Sequence, residues 1–174
     1  MKKSIKSELN KYLKEMDNKE LIQEINKLYS KFSEVKKYYE MELTGDTTAI
    51  VEEYKTKIKK EYFPTRGYGQ ARNSVSRKIV NDFKKISVFD KDIIDLLLYR
   101  VEIMLDFTMA YGDIDEAFYS SLESSFEEAM KLIAKEKLQD DYEKQCKAFI
   151  KVSYNFGWGV YDNLTYLYQE YFES

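Results

Sequence analysis

The chain has 174 residues, with 28 Lys or Arg against 31 Asp or Glu, one Pro, one Cys and no His. Because the chain has no imidazole, it cannot form Ser-His-Asp or Cys-His nucleophilic sites, His-ligated zinc or haem sites, or carboxylate-histidine di-iron centres. The single Cys likewise excludes an internal disulfide, a Cys-rich zinc site and an iron–sulfur cluster ligated by this chain alone, so the composition favours binding over catalysis.

The remaining composition is that of an ordinary globular protein. Hydrophobic residues make up 44%, charged residues 34%, and the net charge is −3. We expect one all-helical domain spanning residues 1–174, because a chain of this length can bury a normal core. No apolar run follows the basic N-terminus as in a signal peptide, and none is long enough to cross a membrane. The sequence therefore predicts a cytoplasmic protein with no membrane contact.

Apolar residues recur at helical spacing through the first third of the chain. Leu9 to Met16 indicate a first helix, and Leu21 to Phe32 indicate a second. Two further helices are predicted at about 34–43 and 47–62, and Pro64 ends the fourth,.

Five more helices are predicted beyond the loop that begins at Pro64. The fifth carries apolar residues from Ala71 to Ile86, and the other four span about 90–111, 114–135, 140–156 and 159–172. The sixth, 90–111, is apolar around most of its circumference, which predicts neighbours on several sides and a central position. The last two are expected to separate or kink at Gly157-Trp158-Gly159.

Helix starts are marked by short oxygen side chains followed by an acid three residues later. The pairs are Asp17 with Glu20, Asp113 with Glu116, and Asp140 with Glu143, while Ser33, Asp46 and Asp90 are candidate single caps. No convincing strand pattern appears. The fold class is therefore all-α, with about nine helices in antiparallel pairs. An irregular α-α superhelix of the HEAT or TPR kind is the first choice, and a compact helical bundle the second.

Four segments resemble a family of uncharacterised bacterial all-helical proteins. They are SIKSELNKYLKEMDNKELIQEINKLYSKFSEVKKYYEMEL from Ser4, YFPTRGYGQARNSVSR from Tyr62, AYGDIDEAF from Ala110 and NFGWG from Asn155. More loosely, the Leu-Ile-x-x-Ile-x-x-Leu stripes are similar to the irregular helical repeats of SWIM-associated proteins, although the chain has no SWIM zinc motif. The resemblance implies an all-helical fold and supplies no catalytic residue.

Positive charge is concentrated in residues 55–85, which carry ten Lys or Arg against two acids, whereas residues 86–174 sum to −10. Within this basic segment, Asn73, Arg77, Asn81 and Lys84 share one face of the fifth helix, and Gly67 and Gly69 precede its start,. One interpretation is an anion- or nucleic-acid-binding surface, with Tyr62 and Tyr68 available for stacking. Its candidate residues are Arg66, Gly67, Gly69, Arg72, Arg77 and Lys78. The other interpretation is that the acidic C-terminal half neutralises this segment inside the molecule.

Two smaller features contain residue types that can carry chemistry. Asp92, Asp95, Glu102 and Asp106 form an acidic stripe on the sixth helix, which is more typical of a solvated or paired face than of a metal site,. Cys146 shares a face with apolar residues and is expected to be buried. We therefore assign no metal and no cofactor.

Aromatic residues crowd the C-terminus, with eight between Tyr154 and Phe172. The surplus beyond one buried face predicts interface residues, for which the candidates are Trp158, Tyr161, Tyr168 and Tyr171,. Core packing with a homodimer contact and a ligand groove both remain open. We expect a non-enzymatic binding or scaffold domain that contacts a protein partner, a second copy included. The alternative is nucleic-acid or phosphate-ligand binding through residues 55–85.

Overall fold

The computed structural model describes residues 4–172, which form helices and connecting loops without a strand. Nine α-helices and one short 3₁₀ turn occur in this part of the chain. They are α1 Ile5–Glu15, α2 Asn18–Lys31, α3 Ser33–Thr44, α4 Thr48–Tyr62, α5 Asn73–Lys84, α6 Asp90–Tyr111, α7 Glu116–Glu136, α8 Gln139–Val152, the turn Ser153–Asn155, and α9 Val160–Phe172. The predicted all-α class with about nine helices is confirmed.

The predicted boundaries agree with the structure to within a few residues. Both ends of the sixth helix, 90–111, are as expected. The eighth ends at Val152 rather than near 156, because the chain tightens into the 3₁₀ turn before the glycines. The break at Gly157-Trp158-Gly159 separates this turn from α9.

The chain divides into two compact units, residues 4–45 and 46–172 of the described part. In the first unit α2 packs against α3, and neither α1 nor α2 contains a buried residue. The expectation of a single domain stays a prediction.

The second unit is built around α6. Helices α4, α5, α7 and α8 all pack on it, and α9 packs on α7 and α8. Eleven residues of α6 are buried, most of them Leu, Ile, Val, Met or Phe. The central position predicted from its all-round apolar surface is thus confirmed.

Helix capping was predicted correctly at only one of the three paired sites. Asp17 and Glu20 form a reciprocal capping box at the start of α2. Asp115, not Asp113, caps α7, because its carboxylate accepts the Phe118 N–H at 2.7 Å. Asp140 lies within the first turn of α8, which Leu138 precedes without a side-chain cap.

The single caps also differ from expectation. Ser33 and Asp90 are the first residues of α3 and α6, where Phe32 and Phe89 occupy the cap positions. Asp46 does accept a hydrogen bond from the Thr48 N–H at 3.0 Å, one residue before the cap position. Across residues 4–172, no helix has the length and apolar character required to cross a membrane.

Candidate anion-binding groove

A groove runs between α5 and α7 with α6 as its floor, and we call it the α5–α7 groove. Both α5 and α7 pack on α6. The groove has a larger part of about 790 Å³ and a smaller part of about 190 Å³. The larger part is lined by Asn73, Ser74, Arg77, Lys78, Asn81, Asp82, Lys85, Ala117 and Ser121. The smaller part is lined by Arg77, Val80, Asn81, Lys84, Leu97, Arg100, Ser124, Ser125 and Glu128.

The polar stripe of α5 forms one wall of this groove. Residues four apart on a helix lie on the same face, and here that face looks across to α7. The Asn73 side-chain amide donates to the Ala117 carbonyl at 3.2 Å, and Lys84 pairs with Glu128. The stripe that the sequence predicted is therefore present, and side chains link it to α7 across the groove.

Arg100 lies beneath the groove on α6 and is fully buried, with 0% of its surface exposed. Its Nε donates to Ser76 Oγ at 2.9 Å, and its Nη1 donates to the Ser121 carbonyl at 2.9 Å and to Ser125 Oγ. Nη2 donates to Ser121 Oγ at 2.7 Å. All of these acceptors are neutral, and within residues 4–172 no carboxylate pairs with Arg100.

The burial of Arg100 has an electrostatic consequence. Desolvation is the largest cause that lowers the pKa of the Arg100 guanidinium; Tyr62 opposes it, and the charge of Arg77 adds a smaller lowering. Because an arginine does not lose its proton in proteins, the positive charge remains in a medium of low polarity. Its field is therefore weakly screened and extends into the groove above it.

Arg77 and Arg100 meet at a single hydroxyl. The Nη2 of Arg77 contacts Ser121 Oγ at 3.1 Å, and the Nη2 of Arg100 contacts the same oxygen at 2.7 Å. Arg77 is exposed and, like Arg100, makes no ion pair with any described acid. Two like charges thus converge where no acid of the described residues lies between them, which is unfavourable.

Five cations and two carboxylates line the groove, which leaves a local charge of +3. Asp82 is paired with both Lys78 and Lys85, and these two hydrogen bonds lower the pKa of its carboxyl, that from Lys78 most. The other acid, Glu128, pairs with Lys84. Because Asp82 balances only one of its two lysines, the surplus of +3 consists of Arg77, Arg100 and one charge of the Lys78–Asp82–Lys85 cluster.

Of the six residues predicted to bind an anion, Arg77 and Lys78 line the groove, and Arg66, Gly67, Gly69 and Arg72 do not. Arg72 is engaged by Glu61 instead, through Nε at 2.8 Å and Nη2 at 3.0 Å. Its own backbone N–H donates to the same carboxylate at 3.0 Å. These three hydrogen bonds connect the start of α5 to the end of α4. Arg66 lies exposed in the connecting loop.

Gly69 has a packing role in that loop. A Cβ at this position would lie 1.8 Å from the Tyr62 backbone oxygen, so only glycine permits the close approach. Tyr62 itself is fully buried, and its hydroxyl lies 2.8 Å from Ser76 Oγ, whereas Tyr68 is exposed. Tyr62 is therefore not available for stacking on a base, contrary to the sequence interpretation.

Sequence reasoning missed Arg100 and the serines that hold it. The signal for Arg100 was its position among Leu97, Leu98 and Val101 on the one helix expected to be buried on several sides. The Ser-Ser pairs at 120–121 and 124–125 repeat at helical spacing on α7,. Small hydroxyl residues at that spacing are typical of a helix face that admits a large polar partner.

The C-terminal aromatic residues divide between the core and the surface. Tyr168 is buried, with its hydroxyl 3.3 Å from Glu143 and its ring stacked on Phe172. Tyr161 and Tyr171 are half-buried, and Tyr161 packs edge-on against Tyr154 at 5.1 Å. Trp158 is 57% exposed and has a left-handed φ of +61°. Tyr154, Tyr166 and Trp158 are thus the most exposed aromatic side chains of this region.

The acidic stripe is spread over several environments. Asp95 accepts a hydrogen bond from the Tyr142 hydroxyl at 2.6 Å, whereas burial raises the pKa of Asp92 and of Glu102. Within the described residues, no group of three His, Cys, Asp or Glu is arranged to hold a metal ion. Cys146 is buried, as expected.

Comparison with known proteins identifies a family but no activity. The model of a family described as "Family of unknown function (DUF6155)" matches residues 4–172. No curated protein matches the chain, and no solved structure matches it. The expected membership of an uncharacterised family is confirmed, while a bacterial origin and a link to SWIM-associated proteins stay predictions.

Proposed function

We propose a function for this chain, which belongs to DUF6155, a family whose function is unknown. The proposal rests on the geometry of the α5–α7 groove. The protein is a non-enzymatic binding protein that holds an anionic group of its ligand in this groove. The observation that carries the proposal is the convergence of Arg77 and Arg100 on Ser121 Oγ, at 3.1 and 2.7 Å, without a carboxylate partner for either.

The physical reason is the cost of an uncompensated buried charge. A buried ion is normally paired, since the hydrogen bonds of neutral groups replace only part of its lost hydration. An anion beside Arg77 supplies the missing counter-charge. Charge-assisted hydrogen bonds from guanidinium groups are about twice as strong as neutral ones. Binding and folding are therefore coupled, and an anion that fits should stabilise the protein.

The test measures thermal unfolding against inorganic phosphate, with sodium chloride added to hold the ionic strength constant. We expect the midpoint of wild-type protein to rise with phosphate concentration. Arg77→Gln should weaken apparent affinity at least about tenfold, as loss of a charge-assisted hydrogen bond implies. Arg66→Gln is the matched control, because it removes the same charge from an exposed arginine outside the groove.

Two results would overturn the proposal. One is a midpoint that depends only on ionic strength, and the other is an Arg77→Gln variant that responds to phosphate as wild type does. Because the Arg77 side chain is exposed, this variant is expected to fold. We also propose that the protein works in the cytoplasm, which is supported by its single, buried and unpaired cysteine,.

A second candidate function is protein binding through Tyr154 and Trp158, with a second copy of this chain as the partner. An exposed tryptophan in the left-handed region is unusual, since that conformation costs about 1 kcal/mol or more for a residue with a Cβ. Lys151 and Asp162 flank these aromatic residues along the chain with opposite charges. A dimer with two-fold symmetry would bring this stretch of chain, with its aromatic residues and both charges, against the same stretch of the second copy.

Sedimentation velocity tests this second candidate. Wild type should show a concentration-dependent dimer, and Trp158→Asn should shift it to monomer while helicity is retained, because Asn tolerates a positive φ. Tyr166→Ser serves as the control, because it removes an exposed aromatic ring from α9. A wild-type protein that stays monomeric at every concentration would remove this candidate.

A further inference from the structure

We infer that the anionic group held in the α5–α7 groove is a phosphate monoester in its dianionic form. This inference rests on the proposed function and names the chemistry of its ligand. Three features of the groove distinguish a phosphate monoester from a carboxylate, a phosphodiester and a nucleic acid: its charge, the directions of its donors and the absence of aromatic lining.

The local charge of +3 favours a dianion over a monoanion. Glu128 balances Lys84, and Lys78 and Lys85 share Asp82, so one lysine charge remains in addition to the unpaired Arg77 and Arg100. A carboxylate or a phosphodiester carries one negative charge and would neutralise one of them. A phosphate monoester carries between about −1.5 and −2 at pH 7 and would compensate nearly twice as much of the positive charge.

The donors of the groove approach from several directions. Arg77, Asn81 and Lys84 come from α5, whereas Ser121 comes from α7. Arg100 adds positive potential from the floor. A planar carboxylate offers two oxygens in one plane, but the three terminal oxygens of a phosphate monoester point in three directions. The tetrahedral group can therefore accept from both walls at once.

The lining argues against a nucleic acid. Neither part of the groove is lined by an aromatic side chain, so the groove offers no stacking platform for a base,. The cations of α5 and of its C-cap residue lie between Arg77 and Lys85, a helical length of about 12 Å,. That is enough for one phosphate group and its surroundings, and too short to follow a polynucleotide backbone. The net charge of the chain, −3, also opposes a polyanion.

The absence of histidine gives this inference a sharp test. A phosphate monoester loses its second proton with a pKa of about 6. The groups that face the anion are Arg77, Arg100, Lys78, Lys84, Lys85, Asp82 and Glu128. The chain has no imidazole to titrate between pH 5 and 8,. A change of affinity in that range therefore reports the ligand.

Isothermal titration calorimetry with O-phosphoserine is the measurement. Between pH 5.0 and 7.5 the dianionic fraction of such an ester rises about tenfold, so the affinity of wild type should rise about tenfold as well. Dimethyl phosphate stays a monoanion over this range, and its affinity should be flat and at least about tenfold weaker at pH 7.5. Dimethyl phosphate also controls for any titration of the groove itself.

The source of the phosphate monoester is separated by two further ligands. A phosphoserine peptide that binds more tightly than O-phosphoserine identifies a phosphorylated protein as the ligand. A sugar phosphate that binds more tightly than either phosphoserine ligand identifies a small metabolite. Both results support a phosphate monoester.

Three outcomes would overturn the inference, and they leave the proposed function distinguishable from it. Equal binding of dimethyl phosphate and O-phosphoserine, or a flat pH profile for both, refutes the dianionic ester while an anion site remains. Tighter binding of a single-stranded oligonucleotide than of the monoester also refutes the ester. If no anion binds, or if Arg77→Gln binds every anion as wild type does, the proposed function fails with it.

Discussion

Lys137 illustrates how a single residue departs from its preferred backbone. It follows α7 with φ 58° and ψ 44°, and the next N–H, of Leu138, donates to the Ile133 carbonyl at 3.0 Å. This is the Schellman arrangement, in which glycine is usual because it has no Cβ. Lysine at this position makes the same backbone hydrogen bonds, but its Cβ makes the left-handed backbone conformation unfavourable.

Replacing Lys137 with glycine should therefore stabilise the protein. We expect Lys137→Gly to raise the free energy of unfolding by about 0.5–1 kcal/mol, because the left-handed region is unstrained for glycine. Lys144→Gly is the control, since Lys144 is an exposed residue within α8, where glycine should cost about 1 kcal/mol,. Urea unfolding of both variants checks the opposite signs, and destabilisation by Lys137→Gly would contradict the explanation.

Glu61 is the other residue whose environment makes a measurable prediction. Its side chain is 7% exposed, and hydrogen bonding by Arg72 lowers the pKa of its carboxyl. Because the folded pKa lies below the unfolded one, the stabilisation is complete above about pH 4.5 and is lost as the pH falls through the folded pKa. The interaction should thus disappear in acid.

Glu61→Gln should lower the free energy of unfolding by about 1–2 kcal/mol at pH 7, because it removes the charge of the hydrogen-bonded pair with Arg72. The loss is modest because the Arg72 side chain is largely exposed to solvent,. The difference from wild type should shrink towards pH 3. Chemical unfolding at both pH values measures it, and a double-mutant cycle with Arg72→Gln isolates the pair. A difference that is the same at pH 7 and pH 3 would show that the ion pair is not its cause.

At the scale of elements, Arg100 links α6 to α5 and α7 by hydrogen bonds from within an apolar core. Arg100 reaches Ser76 on α5 and both Ser121 and Ser125 on α7. These serines also have other partners, since Ser76 lies 2.8 Å from the Tyr62 hydroxyl and Ser125 donates to the Ser121 carbonyl at 3.3 Å. Removing the guanidinium therefore does not leave them without hydrogen bonds.

This arrangement predicts an unusual order of stability for variants of Arg100. Arg100→Lys keeps a buried charge and loses the fork, so we expect it to cost about 2–4 kcal/mol. Arg100→Met removes the charge at similar volume and should be at least about 1 kcal/mol more stable than Arg100→Lys. Unfolding in guanidinium chloride at pH 7 gives the order of stability, and a methionine variant less stable than the lysine variant would contradict the prediction.

At the scale of the whole molecule, the absence of histidine shapes the response to pH. No side chain of the chain ordinarily titrates between pH 6 and 8,. Above that range, burial raises the pKa of the Cys146 thiol to about 12. Burial, followed by the hydrogen bond to Asp95, raises the pKa of Tyr142. Both groups therefore stay protonated when folded, in a range where they ionise in the unfolded chain.

Stability should accordingly be flat from pH 6 to 8 and fall above about pH 9. The sign follows because the unfolded chain then binds fewer protons than the folded one, and each such group contributes up to about 1.4 kcal/mol per pH unit. Tyr142→Phe should make the fall shallower above pH 10, while Tyr166→Phe, at an exposed ring, should not. Unfolding midpoints from pH 6 to 10.5 measure this, and equal slopes for the two variants would refute it.

The helices, their approximate ends and the central position of α6 were predictable, because apolar periodicity, Pro64 and the glycine-containing breaks act over a few neighbouring residues. The caps were predicted less well. Asp113 matched the pattern as closely as Asp115, but its carboxylate accepts from the Tyr119 hydroxyl at 2.7 Å and from the Gly157 N–H. A contact 44 residues away along the chain decided which acid caps α7.

The sequence by itself determined the exclusions, the helical class, the α5 stripe and the excess of positive charge in residues 55–85. Only the tertiary structure decided which of those charges are compensated. Periodicity shows which face of a helix is apolar, but not which helix it meets. Arg72 pairs with Glu61, whereas Arg77 donates a hydrogen bond to Ser121, 44 residues further along the chain, above the buried charge of Arg100. The groove exists because three helices bring those groups together around one hydroxyl.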